Sequence, residues 1–189
     1  MKSIKFAAIA ALTLSAFSAM AGEIVNSSVT ATSVINSSAG LASSALQNIG
    51  VAEQNGHIGT TAVVVSGAVN SSAGLASTAT QNVGHTSGNG RIDNTFVTGN
   101  GLVNSAAGLA ATAKQQVGFA DGNGRVQNSF ISAAGATNSA AGLASTATQE
   151  IGGAANNGTL QNAAVIGSGA VNSSAGLASS ATQRIGVAR

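Results

Sequence analysis

Side chains able to do catalytic or metal chemistry are few here, and they are scattered. His57 and His85 are the only histidines and there is no cysteine, so a zinc-type ligand set is not expected. Glu53, Asp93, Asp121 and Glu150 do not recur as a cluster, which disfavours calcium binding and the paired carboxylates of a polysaccharide-cleaving enzyme. "GNGR" at 88–91 and 122–125 is glycine-rich but lacks the lysine and the following helix of a phosphate loop. The sequence therefore predicts no enzyme, with no catalytic residue, no cofactor and no metal. What does recur is the amide side chain. Asn36, Asn70, Asn104, Asn138 and Asn172 are spaced 34 apart, and so are Gln47, Gln81, Gln115, Gln149 and Gln183. The chemistry open to such a series is a ladder, in which each amide donates to one neighbour and accepts from the other. A buried glutamine without that partner would cost roughly 1–3 kcal/mol.

The elements that position these amides repeat with the same period. Gly40, Gly74, Gly108, Gly142 and Gly176 form one column, and Gly50, Gly84, Gly118, Gly152 and Gly186 another. With "NG" at 55, 89, 123 and 157 and a third glycine column at 67, 101, 135 and 169, they read as turn signals. The linking half repeats as "IVNSSV" at 24, "IGTTAV" at 58, "IDNTFV" at 92, "VQNSFI" at 126 and "LQNAAV" at 160. Units of 24–57, 58–91, 92–125, 126–159 and 160–189 thus fill the chain after residue 21. Residues 1–21 carry Lys2 and Lys5, an apolar run from Phe6 to Phe17 and Ala19-x-Ala21, the pattern of a cleaved signal peptide. The apolar run is shorter than the ~20 residues a membrane span needs. Losing Lys2 and Lys5 leaves five basic against five acidic residues, so 22–189 has no basic footprint for nucleic acid. Near-zero charge favours self-association.

Five copies in one chain form an internal alignment. In the copy at 70–84 the columns of Ser71, Ala73, Leu75, Ala79 and Gln81 are identical throughout, whereas those of Ser72, Thr78, Thr80 and Asn82 vary and elsewhere hold Leu46, Lys114, Glu150 and Arg184. A helical reading has support in Asn70 or Ser71 as a cap and Gly84 beyond the end. Against it stand a glycine within every copy and the period-two alternation from 78 to 83, which places the variable columns on one face of a strand.

The reading is therefore all-β: a β-solenoid, or cross-β stack, of five 34-residue layers standing roughly 24 Å tall. Each layer holds about three strands, for example 91–99, 102–107 and 109–117. His57, Arg91 and Arg125 share a column and must face solvent, because like charges about 4.8 Å apart repel. Ile92 and Asn94 then point inward, and Asp93 and Thr95 outward, with a bulge or doubly packed region at Phe96 and Val97. His85 and the Glu150–Arg184 pair are expected on the surface. Neither end carries an atypical capping repeat, so copies are expected to add end to end into an open filament.

Ser71, Gln81, Gly84 and Asn94 are the counterparts here of residues that curlin repeats hold at fixed offsets, and "NSAAG" at 104–108 and 138–142 is similar to the Fap type. In this the chain resembles bacterial functional-amyloid subunits, the curlins and the subunits of Fap fibres. The resemblance implies a secreted, extracellular cross-β fibre of a biofilm matrix with a role in adhesion. It also implies an export pore and a nucleating subunit as partners. An alternative function is a monomeric solenoid that binds ice or glycan through an outer array of Thr78, Thr80, Thr112, Thr146, Thr148 and Thr182, interrupted by Leu46 and Lys114.

Overall fold

The computed structural model describes residues 22–54 and 56–189. The expected signal peptide at 1–21 and the turn residue Asn55 lie outside the described residues. The described chain is all-β, with no helix, and winds through five layers.

Every layer contributes four strands. The first is three residues long: Glu23–Val25, His57–Gly59, Arg91–Asp93, Arg125–Gln127 and Thr159–Gln161. The second spans five residues: Ser28–Thr32, Ala62–Ser66, Phe96–Asn100, Phe130–Ala134 and Ala164–Ser168. The third is also of five: Ile35–Ala39, Val69–Ala73, Val103–Ala107, Thr137–Ala141 and Val171–Ala175. The fourth runs for 11 residues: Ala42–Ala52, Ala76–Thr86, Ala110–Ala120, Ala144–Ala154 and Ala178–Ala188. Equivalent strands pair in parallel to give four five-stranded sheets. Register is constant, as in Asn36↔Asn70, Asn70↔Asn104, Asn104↔Asn138 and Asn138↔Asn172.

The sequence predicted three strands per layer, and there are four because the stretch 91–99 is broken at a corner. Asn94 has φ of 51°, and Asn26, Thr60, Asn128 and Asn162 in the same column have φ between 49° and 51°. A left-handed residue turns the chain sharply, and asparagine tolerates that conformation better than most side chains. The corner reverses the expected orientations. Asn94 is exposed and Thr95 is buried, its hydroxyl donating to the Asp93 and Ile58 carbonyls. Beyond the corner Phe96 faces out, stacked on Phe130 at 5.1 Å, and Val97 faces in.

Glycines at 67, 101, 135 and 169 make the next corner, with φ between 59° and 65°. The column of Gly74 makes the third, for a different reason: a Cβ at Gly108 would stand 1.7 Å from the carbonyl oxygen of Gly74 in the layer below. No side chain fits at Gly74, Gly108, Gly142 or Gly176, whereas a Cβ at Gly40, in the first layer, would meet nothing within 4 Å. The column of Gly84 is not a turn. It lies inside the fourth strand with φ of 57–64° and bends that strand without ending it.

This bend shapes the interior. Before it, the third and fourth strands lie close together over small residues, Ala79, Ala106, Ala111, Ala113, Ala140 and Ala147. Around and beyond it, the fourth strand encloses Val83, Ile92, Val97, Leu102, Val117 and Ile131 with the first and second strands. The alternation predicted for the fourth strand holds at Thr78 and Thr80, outward, and Ala79 and Gln81, inward. In the third strand the columns sort the other way. Asn70 and Ser72 are buried, whereas Ser71, Ala73 and Leu75, although identical in every copy, lie on the outer side. Ser72 varies only to alanine because its column faces the narrow interior, where Ser43 and Ser72 hydroxyls meet at 2.8 Å.

Candidate functional site

The predicted amide residues come together as two continuous ladders along the stack. The Asn70 Nδ2 group donates to Asn104 Oδ1 at 2.8 Å, Asn104 to Asn138 at 2.7 Å, and Asn138 to Asn172 at 2.7 Å, with Asn36 donating to Asn70 at 2.8 Å below them. The glutamine ladder runs the opposite way. Gln183 Nε2 donates to Gln149 Oε1, Gln149 to Gln115, Gln115 to Gln81 and Gln81 to Gln47, at 2.6–2.7 Å.

Backbone carbonyls fix each amide's orientation. Asn104 Nδ2 also donates to the Ala79 carbonyl of the previous layer and the Lys114 carbonyl of its own, and Asn70 Nδ2 likewise to those of Ala45 and Thr80, which holds each Oδ1 toward the preceding amide. Gln81 and Gln149 likewise donate to the Ala68 and Ala136 carbonyls. The ladders therefore tie the third and fourth strands together across the layer as well as tying each layer to the next. Asn70, Asn104, Asn138, Gln81, Gln115 and Gln149 are all 0% exposed. Buried amides without partners would be destabilising, so the in-register repeat is what makes their burial possible.

Both ladders stop without a further amide partner. In the first layer, Asn36 Oδ1 receives no ladder bond, and Gln47 Nε2 makes only 3.4 Å contacts to the Val34 and Val69 carbonyls. In the last, Asn172 Nδ2 donates to the Ala147 and Thr182 carbonyls but to no further amide, and Gln183 Oε1 accepts nothing among the described residues. No protein family, curated protein or solved structure matches this chain. The two edges are complementary: one offers an Asn acceptor and a Gln donor, and the other an Asn donor and a Gln acceptor. Among the described residues nothing covers either edge, and Ile35 and Leu177 there are 73% and 91% exposed.

A second group of polar residues escaped the sequence reading. The left-handed Gly84 column lies between residues 82 and 85, and both then sit in an elbow outside the fourth sheet. The columns through them hold Asn48, Asn82, Gln116, Glu150 and Arg184, and Val51, His85, Phe119, Gly153 and Val187. The elbow shields them, so two surface expectations fail. Glu150 is 2% exposed, accepting from Gln116 at 2.7 Å, Arg184 at 3.1 Å and Arg189 at 2.7 Å. His85 is 7% exposed, with neither ring nitrogen hydrogen-bonded. Burial pushes its pKa from the usual 6.5 down to about 4; Asp121 opposes that shift and Lys114 adds to it. The signal was present in the sequence, since a glycine inside a strand marks a bend that puts its flanking residues on one side.

The column of His57, Arg91 and Arg125 lies on the outside, as like charges require. Asp93, expected beside the arginines, is more enclosed than that reading implied, pairing with Arg91 and lying 3.6 Å from His57 Nε2. Among the described residues no group of three or more His, Asp or Glu is placed to hold a metal ion, and no helix is long and apolar enough to cross a membrane.

Proposed function

We propose that this protein is a self-assembling structural subunit, which polymerises end to end into an extracellular amyloid-like fibre with a matrix or adhesive role. The observation that carries the reading is the complementarity of the two unfinished amide ladders. A second copy in the same register places Asn36 Oδ1 against Asn172 Nδ2 and Gln47 Nε2 against Gln183 Oε1, repeating every internal layer step. An interface whose two faces differ and whose rotation does not close grows into an open filament. Export through a pore after removal of 1–21, and a nucleating subunit, belong to the same reading through the resemblance to functional-amyloid subunits. The test is incubation of the purified chain freed of residues 1–21. Filaments with reflections near about 4.7 Å along the axis and about 10 Å across it are expected; a monomer that persists at high concentration overturns the reading.

One observation favours a second reading, a monomer that binds ice or glycan. Thr78, Thr112 and Thr146 stand exposed in register on the fourth sheet, with Thr80, Thr148 and Thr182 half-buried beside them. Leu46 and Lys114 interrupt that second column. Binding of ice or sugar by a persistent monomer supports this reading over the first.

A further inference from the structure

The ends of the stack differ in charge as well as in amide polarity. Side-chain charge in the first layer comes from Glu23 and Glu53 alone, and in the last layer from Arg184 and Arg189 alone. Between them Arg91, Lys114 and Arg125 balance Asp93, Asp121 and Glu150. Glu53 is exposed, and its carboxylate has no ion-pair partner among the described residues.

The columns determine where these charges would meet. A following copy that sets Asn36 on Asn172 and Gln47 on Gln183 also sets Asn48 on Arg184 and Glu53 on Arg189. The same two columns already form ion pairs inside the chain. Arg184 lies directly over Glu150 at 3.1 Å, and Arg189 reaches Glu150 on the diagonal at 2.7 Å. At a junction between copies the diagonal recurs with the charges exchanged, Arg184 now being in the column of Glu150 and the incoming Glu53 in that of Arg189.

Resting on the filament reading, we infer that the acidic first layer and the basic last layer form a polar docking interface with a second copy of this chain, in which Glu53 bridges Arg184 and Arg189. Opposite charges bring unlike ends together and hold like ends apart, since two first layers would face each other with four carboxylates and two last layers with four guanidinium groups. The amide ladders then set the register. The charges select which ends meet, and every subunit in the filament points the same way.

Seeded elongation of the chain freed of residues 1–21 tests this, with Glu53→Gln and Glu53→Lys as variants. Glu53 has no ion-pair partner to lose among the described residues, and circular dichroism of each soluble variant verifies the fold. At low salt Glu53→Lys is expected to elongate its own seeds about ten-fold more slowly than wild type, with Glu53→Gln between them. At about 1 M salt the three rates converge. Glu53→Lys seeds supplied with wild-type monomer are expected to elongate at about the wild-type rate, because their last layers are intact and every subunit added presents a wild-type end. Wild-type rates for Glu53→Lys on its own seeds at low salt, or elongation of the mixed seeds as slow as that of Glu53→Lys alone, overturn the polar interface and leave the filament reading standing. A wild-type chain that never forms filaments overturns the filament reading, and the interface with it.

Discussion

The amide ladders inside the stack and the elbow outside the Gly84 column are both rows of buried polar groups, yet they are built on opposite plans. In the ladders every layer supplies the same residue, so each amide finds its partner in the next layer and the row can be lengthened without change. In the elbow each layer supplies a different residue, and hydrogen bonding depends on the local match. Asn48 meets Asn82 and Gln116 meets Glu150, but His85 lies between Val51 and Phe119 with no partner for either nitrogen. Identical columns make layers interchangeable, whereas mixed columns give particular layers individual properties. Bonding from layer to layer therefore rests on the first plan, and the pH sensitivity of His85 lies in the second.

The comparison breaks most visibly at the centre of a ladder. Asn104 accepts from Asn70 and donates to Asn138, Ala79 and Lys114, so Asn104→Ala leaves a donor, Asn70 Nδ2, below the gap and an acceptor, Asn138 Oδ1, above it, both in a dry interior. Each unsatisfied group costs about 1–3 kcal/mol, and the expected loss is about 3 kcal/mol or more. Chemical denaturation of the soluble chain measures it. A loss under about 1 kcal/mol would show that the ladder contributes register but little stability.

The elbow responds to pH where the ladders do not. His85 is neutral when buried, with a pKa of about 4 against about 6.5 in the unfolded chain, so the unfolded state binds the proton more readily. Stability is therefore undiminished above about pH 6.5 and falls as the pH drops towards about 4, by about 2 kcal/mol at pH 5. Asp121 and Lys114 are the charged groups acting on the ring, and their effects oppose each other. His85→Val matches the apolar residue stacked below, and it is expected to remove this part of the pH dependence when the two proteins are unfolded side by side at pH 7 and pH 5. An unchanged slope would place the titration elsewhere.

How much of this was legible follows from what a column of identical residues reports. The period, the parallel layers and both ladders were readable because in-register stacking forces like onto like. Strand number was not, because the corner at Asn94 needs only a residue tolerant of positive φ, and threonine serves at 60 as well as asparagine does elsewhere. The elbow was missed for a related reason: alternation predicts which face a side chain leaves from, but a left-handed glycine places residues 82 and 85 on one side and then shelters them. Column identity also does not mean burial. Ser72 varies and is buried, whereas Leu75 is constant and 54% exposed.

That last case gives the smallest expected effect and the sharpest test of what sameness means here. The leucines at 75, 109 and 143 are 52–54% exposed, while those in the first and last layers, Leu41 and Leu177, are 78% and 91% exposed. Each inner leucine thus owes its cover largely to the layers on either side. Leu109→Ala removes side-chain atoms that are about half in water already, so the soluble chain should lose under about 1 kcal/mol by denaturation, well below the cost at Asn104. A loss as large as a core truncation would mean that the column is packed more tightly than its exposure indicates. A small loss would separate constancy from folding stability at this position and tie it to the stacked row of leucines itself. In an end-joined filament that row would continue across the junction, with Leu41 of one copy covering Leu177 of the next.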